Sequence, residues 1–355
     1  MNEDCLKLTT YFGEGDRHNG QFFADELIDL YERHAFHTSI LLRGTEGFGS
    51  KHRLQTQRLL SLSEDLPLVA IGVDSRRRVE PVIDELRQRL PGGLLTVERS
   101  RMLTGRIGVV ELSDQHDVTK LTIYCGRNER IYGRPAAIAI VDLLQRHDMA
   151  GATVFLGVDG TSHGQRRRAR FFGRNANVPL MIVSVGAGAA IAEALPKLGS
   201  LLERPLLTLE LVRVLKRDGA QIAELGHGPA QKDSAPELCQ KLMIFASEQS
   251  RLDGHPLYVE LIRRLRGANA AGATTLRGIW GYHGDHAPHG DRLLSLRRHV
   301  PVVTVIIDQP REIQRLWPII DEATATTGLV TSQLVPVYRA VADGNADGRS
   351  RLRVH

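Results

Sequence analysis

One glycine pattern occurs three times along the chain. Gly44-Thr45-Glu46-Gly47-Phe48-Gly49 follows the apolar run Thr38 to Leu42. Gly157-Val158-Asp159-Gly160 follows Phe155-Leu156, and Gly278-Ile279-Trp280-Gly281-Tyr282 follows Leu276-Arg277. The intervals are 113 and then 121 residues, and Arg17, Arg130 and Arg251 keep them, as do Gly20, Gly133 and Gly254. Arg58-Leu59-Leu60-Ser61-Leu62 matches Arg292-Leu293-Leu294-Ser295-Leu296, with Arg170-Phe171-Phe172 as a weaker middle copy. Pro67, Pro179 and Pro301 each open an aliphatic run. Leu94-Leu95-Thr96, Leu206-Leu207-Thr208 and Leu329-Val330-Thr331 close the three copies in the same order. A unit of roughly a hundred residues is domain-sized, longer than a solenoid repeat. The chain is therefore three beads or a single-chain version of a symmetric trimer.

Within the first copy, Leu6 to Phe12 alternates as a strand does, and Phe22, Phe23, Leu27, Ile28, Leu30 and Tyr31 have helical spacing across Gln21 to His34. Thr38 to Leu42 and Pro67 to Val73 read as strands, with a short helix over Gln55 to Leu62 between them. A second long helix is expected up to about Leu90, with Asp74 or Ser75 as its N-cap; Asp308 and Gly186 take that place in the other copies. Gly92-Gly93 then turns the chain into Leu94 to Glu98. The order βαββαβ folds most simply as a ferredoxin-like sandwich, whose sheet has one face left to cover. The expected fold class is α+β: three tandem ferredoxin-like domains at 5–103, 119–215 and 239–340, their open faces covering one another as an intrachain pseudo-trimer. The segment 216–238, with Gly226, Gly228, Pro229 and Pro236, reads as a flexible linker, and 341–355 as a disordered tail.

Composition narrows the function classes. An apolar fraction of 42% and a charged fraction of 25% are those of an ordinary soluble protein. Cys5, Cys125 and Cys239 have no metal spacing and are odd in number, which argues for a reducing compartment. The acidic start Met1-Asn2-Glu3-Asp4 lacks a signal-peptide pattern, and the apolar run Val178 to Leu195 is interrupted by Pro179, Gly186, Gly188 and Glu193; a cytoplasmic location is expected. The net charge of +5 and the clusters at Arg166, Arg167, Arg168 and Arg170, and at Arg349, Arg351 and Arg353, come without interleaved aromatics, so nucleic acid is not the expected partner.

The candidate chemistry lies in the repeated loops. Gly44, Gly47 and Gly49 could turn tightly or offer backbone N–H groups to an anion. Arg17, Arg130 and Arg251 precede a helix start that could hold an anion, or tie the loop down. His283, Asp285, His286, His289 and Asp291 crowd nine residues of the third copy and suit zinc or another divalent metal. No nucleophile elbow, Walker A sequence or HExxH helix is present, no acid–base pair recurs, and no enzyme is expected.

The pattern Thr9-x-Tyr11-x-Gly13-Glu14-x-Asp16-Arg17, the run Arg43-Gly44-x-x-Gly47-Phe48-Gly49 and the run Leu62 to Pro67 resemble the domain-of-unknown-function 190 family. That family is similar in fold to the PII signalling proteins, trimers of ferredoxin-like subunits. The resemblance implies a small effector, an adenine nucleotide among the candidates, bound in clefts between repeats. It implicates Arg43, Gly44, Gly47, Phe48 and Gly49, then Gly157 and Gly160, then Arg277, Gly278, Gly281 and Tyr282. Leu156 stands where the other copies carry Arg43 and Arg277, so an anion should find one cleft weaker. The resemblance also implies a membrane-transporter partner of the CrcB fluoride-exporter type. The alternatives are a metal-responsive protein similar to the CutA trimers, using the His283 to Asp291 loop, and, ranked below it, an enzyme acting on a nucleotide.

Overall fold

Each repeat builds its elements in the same order, with the second strand split in two in the second and third repeats. The first has β1 (Asn2–Gly13), α1 (Phe23–Arg33), β2 (Thr38–Phe48), β3 (Pro67–Ser75), α2 (Arg76–Arg89) and β4 (Gly93–Thr104). The second has β5 (Val118–Gly126), α3 (Ala136–Arg146), β6 (Gly151–Leu156), β7 (Asp159–Ser162), β8 (Pro179–Gly186), α4 (Gly188–Leu201) and β9 (Leu206–Arg217). The third has β10 (Glu237–Ser247), α5 (Leu257–Gly267), β11 (Ala273–Arg277), β12 (Trp280–His283), β13 (Pro301–Asp308), α6 (Pro310–Ala323) and β14 (Leu329–Val341). The computed structural model describes residues 2–49, 55–56, 65–110, 112, 118–162, 164–166, 178–226, 237–283, 289–290 and 300–341.

Pairing within each repeat is antiparallel, and the spatial orders are β4-β1-β3-β2, β9-β5-β8-β6 and β14-β10-β13-β11. Pairing does not stop at the repeat boundary. β2 pairs with β11 on one neighbour and β7 on the other, and β6 pairs with β12. The long last strands β4, β9 and β14 also pair with one another. One continuous sheet results, and it closes on itself.

The period-2 alternation of the strands sorts their side chains between two faces. Leu6, Leu8, Leu95 and Val97 face the helices of the first repeat and pack with Phe23, Leu27, Tyr31, Val79 and Ile83. The second and third repeats have equivalent helix-side cores. The opposite faces contribute Cys5, Val69, Met102, Tyr124, Met181, Val212, Cys239, Val305 and Val335 to one shared cluster drawn from all three repeats. Each open sheet face is covered by the other two.

Several expectations from sequence need correcting. The glycine stretch is not a loop after a strand: β2 runs through Gly44 and Gly47 to Phe48, because the neighbouring β11 supplies its backbone partners. Gln55–Thr56 is a strand paired back on Glu46 and Gly47, not the start of a helix; the rest of that expected helix lies outside the described residues. Asp74 and Asp308 do not cap as N-caps. Of the two candidates in the first repeat Ser75 is the N-cap; Ala187, one residue after Gly186, and Gln309 take that place in the other repeats, all without side-chain cap bonds. Instead Asp74 accepts from the backbone N–H of His37 and Ser75, and Asp308 from those of Ala271 and Gln309, fastening the end of the third strand to the turn before the second. The expected linker is folded at its start: Lys216 is buried and pairs with Asp321, and Ala220–Gln221 folds back on β9. Residues 227–236 and the tail beyond Val341 lie outside the described residues.

Candidate functional site

The glycines that anchor the repeat sit where neighbouring repeats touch. A Cβ on Gly47 would lie 2.7 Å from the Ala273 carbonyl oxygen of the third repeat, one on Gly160 2.3 Å from that of Ser39 in the first, and one on Gly281 2.1 Å from that of Ala152 in the second. The three contacts run in one cyclic direction, and Gly160 and Gly281 hold φ of 155° and 149°. Gly44, Gly157 and Gly278 are hemmed in beside them, each against the proline that opens the third strand of its own repeat. Only glycine fits such a close backbone crossing. Gly49 has nothing within 4 Å. Phe48 and Tyr282 are buried, Phe48 in the core of the third repeat and Tyr282 in that of the second.

The arginines of the pattern are engaged locally. Arg43 donates to Glu14 at 2.6 and 3.2 Å, and Arg277 makes two bonds of 3.0 Å to Glu248. Glu14 and Glu248 occupy equivalent positions; the second repeat replaces the pair with Arg127 and Leu156. Arg17 donates to the Gly20 carbonyl oxygen and stacks 3.9 Å from the Phe22 ring centre, and Arg251 donates to the Glu248 carbonyl oxygen. Arg130 is exposed, on a two-residue strand that pairs with Arg134–Pro135. Arg166 binds Asp159 at 2.6 Å, Asp25 at 3.1 Å and Asp29, tying the second repeat to α1; Arg167, Arg168 and Arg170 lie outside the described residues. His283 ends β12, and His289 belongs to a two-residue strand paired with β12. Asp285, His286 and Asp291 lie outside the described residues, among which no group of three candidate metal ligands occurs.

The unanticipated feature is at the centre. Lys7, Lys120 and Lys241 occupy equivalent positions on β1, β5 and β10, ten residues before Arg17, Arg130 and Arg251. All three are buried on the shared face. Opposite them, equivalent positions of β4, β9 and β14 carry Glu98, Glu210 and Gln333. Lys7 Nζ lies 2.7 Å from Glu98 and 2.6 Å from Glu210, Lys241 lies 2.9 Å from Glu98, and Lys120 lies 2.9 Å from Glu210 and 3.4 Å from the Gln333 amide oxygen.

Three ammonium groups thus share two carboxylates, and the imbalance appears in their acidities. Burial disfavours the charged form of all three lysines. For Lys7 the carboxylates of Glu210 and Glu98 outweigh it and hold the ammonium well above its ordinary value; for Lys241 Glu98 does the same. Burial would raise Glu98, but Lys241, Lys7 and Lys120 hold it well below the usual carboxylate range. Lys120 is the one left over: burial, only partly offset by Glu210, pushes it down to about 8.

A cavity of about 740 Å³ lies against this centre, between the last strands of all three repeats. Glu210, Gln333, Gln240 and Ser100 line it, and Arg76, Arg99, Arg101 and Arg213 border it. Its size is that of a small-molecule site, which spans roughly 300–1,000 Å³.

A family model described as an uncharacterized ACR family, DUF190, matches residues 5–102, 118–214 and 239–337. The chain belongs to the DUF190 family. It carries three DUF190 repeats in tandem. It is also similar to a UPF0166 protein of Aquifex aeolicus (strain VF5), 38% identical over 74 residues that make up 21% of this chain and 70% of that protein. That relative is therefore about one DUF190 repeat in length.

The central residues of these DUF190 repeats carried a signal in the sequence. A lysine recurs at the same place in each first strand, and an acid or amide recurs four residues after each Leu94-type anchor. Alternation alone reads such a residue as solvent-facing. Only the closing of three sheets on one another turns that face inward.

Proposed function

We propose that this DUF190 chain is a PII-like regulatory protein: three ferredoxin-like units packed as an intrachain pseudo-trimer, which bind a small anionic ligand and act without catalysing a reaction. The strand order, the cyclic contacts between repeats and the one-repeat length of the relative support the architecture. The observation that carries the ligand reading is the cavity where the three last strands meet, bordered by four arginines. Guanidinium groups bind phosphate and carboxylate with charge-assisted, often bidentate bonds.

This moves the ligand from the glycine stretches to the axis. Arg43 and Arg277 already bind glutamates, and the glycines are filled by neighbouring backbone. A membrane-bound transporter belongs to the same proposal as the partner that reads the ligand state. Thermal melting in inorganic phosphate, sulfate and zinc chloride tests the reading. A ligand of the native state at a hundred times its Kd stabilises by about 2.7 kcal/mol. Stabilisation by the two anions, absent from Arg99→Gln/Arg213→Gln, supports it. Stabilisation by zinc alone would refute it in favour of a metal-responsive protein.

A further inference from the structure

The three last strands meet as a triangle. β4 pairs with β9 through residues 101–104 and 206–209, β9 with β14 through 213–217 and 329–332, and β14 with β4 through 337–341 and 93–96. Between those ladders, residues 97–100, 210–212 and 333–336 surround the axis without pairing to one another. Alternation turns Glu98, Glu210 and Gln333 inward to the lysines, so the next residues, Arg99, Leu211 and Leu334, point out of the opening. All three line the cavity; Arg99 is exposed, Leu211 is 59% exposed and Leu334 42%. Leu238 on β10, also exposed, is a diagonal neighbour of Leu334, because Gln240 lies opposite Leu334 and Leu238 opposite Pro336. Leucines gathered in this way at a cavity mouth form an apolar patch of the kind that marks a binding surface.

The charges beside that patch are partly committed. Arg76 binds Glu80, Glu210 is held by Lys7 and Lys120, and Arg101 is engaged elsewhere. Arg99, Arg213 and Asp4 also line the cavity and have no ion pair or hydrogen bond among the described residues. Two guanidiniums and one carboxylate leave a single positive charge uncommitted. A bare inorganic anion would meet the guanidiniums and leave the leucines in water.

Resting on the reading of this cavity as the ligand site, we propose that its ligand is a monocarboxylate carried on an apolar chain or ring. Arg99 and Arg213 supply the donors for the carboxylate, whose one negative charge matches the uncommitted positive one. The apolar body lies over Leu211, Leu334 and Leu238. The site is single. Leu211 and Leu334 stand, in the second and third repeats, where Arg99 stands in the first, so the pseudo-symmetric opening has its guanidinium on one side only.

Calorimetric titration of the full chain with acetate, hexanoate, octanoate and inorganic phosphate tests this. Affinity is expected to rise from acetate to octanoate by about two- to fourfold for each methylene taken from water, and octanoate should bind at least tenfold more tightly than inorganic phosphate. Arg99→Gln/Arg213→Gln should weaken octanoate and phosphate by tenfold or more. Leu211→Ser/Leu334→Ser should bring octanoate to the level of acetate while leaving phosphate unchanged, which also reports that the variant is folded. Octanoate and acetate binding within threefold of each other would overturn this proposal and leave the anion reading standing, as would an unchanged octanoate affinity in the Leu211/Leu334 variant. Failure of octanoate and phosphate alike to bind would overturn the two together.

Discussion

Replacing Glu98 with glutamine takes one of two carboxylates from a centre that holds three lysines. The carboxylate lies 2.7 Å from Lys7 Nζ and 2.9 Å from Lys241 Nζ, and all three side chains are buried. Glutamine keeps the volume and one acceptor, so the change is almost purely one of charge. Removing one partner of a buried ion pair costs about 3–5 kcal/mol, because the remaining charge stays desolvated. With an unfolding entropy of about 2.1 cal/mol/K per residue over 355 residues, a chain that unfolds in one step should melt about 4–7 °C lower. The pH dependence follows from the sign of the shift. The folded-state pKa of Glu98 lies below its ordinary value of 4.5. Its contribution is therefore fully present above pH 4.5 and is lost as pH falls toward the folded value. Calorimetric melting of wild type and Glu98→Gln from pH 7 to pH 3 should show the largest difference at neutral pH and a shrinking one below 4.5. A difference below about 1 °C at pH 7, or one that does not change with pH, would refute the reasoning.

Gln333→Glu supplies the missing third carboxylate beside Lys120. Lys120 has a folded value of about 8 against an ordinary 10.5, so wild type carries the full penalty below pH 8, and it fades between 8 and 10.5. The variant should gain up to about 3 kcal/mol at pH 7, shrinking toward pH 10 in chemical denaturation; a loss at pH 7 would count against the charge imbalance. Gly281→Ala should cost about 2–4 kcal/mol, since its Cβ would meet the Ala152 carbonyl oxygen at 2.1 Å in a strained backbone, whereas Gly49→Ala should melt within about 1 °C of wild type. Arg43→Leu and Arg277→Leu together should leave the affinity for inorganic phosphate unchanged in calorimetry, because both guanidiniums are held by glutamates away from the axis.

Much of the fold was legible because its determinants are local and repeated. Offsets of 113 and 121 residues shared by Arg17, Arg130 and Arg251 and by Gly44, Gly157 and Gly278 announced three units, and alternation with helical spacing gave the element order in each. What was lost depends on contacts between units. Gly47 and Gly281 looked like ligand loops because glycine permits close approach without saying of what, and the approaching group proved to be a neighbouring strand. Asp74 looked like a helix cap because it adjoins a helix, but its carboxylate also reaches the His37 backbone N–H. Arg43 and Arg277 were legible as a recurrent pair of residues, yet their partners Glu14 and Glu248 are 29 residues away in sequence. The central lysines were least legible of all, since a lysine in an alternating strand is ordinarily solvated and its burial requires the whole ring.

The central claim is that one chain closes three repeats around a single axial site. Light scattering combined with calorimetric titration of inorganic phosphate tests it most directly. The account predicts a particle of 39.3 kDa that binds one molecule per chain and loses that binding in Arg99→Gln/Arg213→Gln. An obligate trimer of chains, or three equivalent sites per chain unaffected by those substitutions, would contradict it.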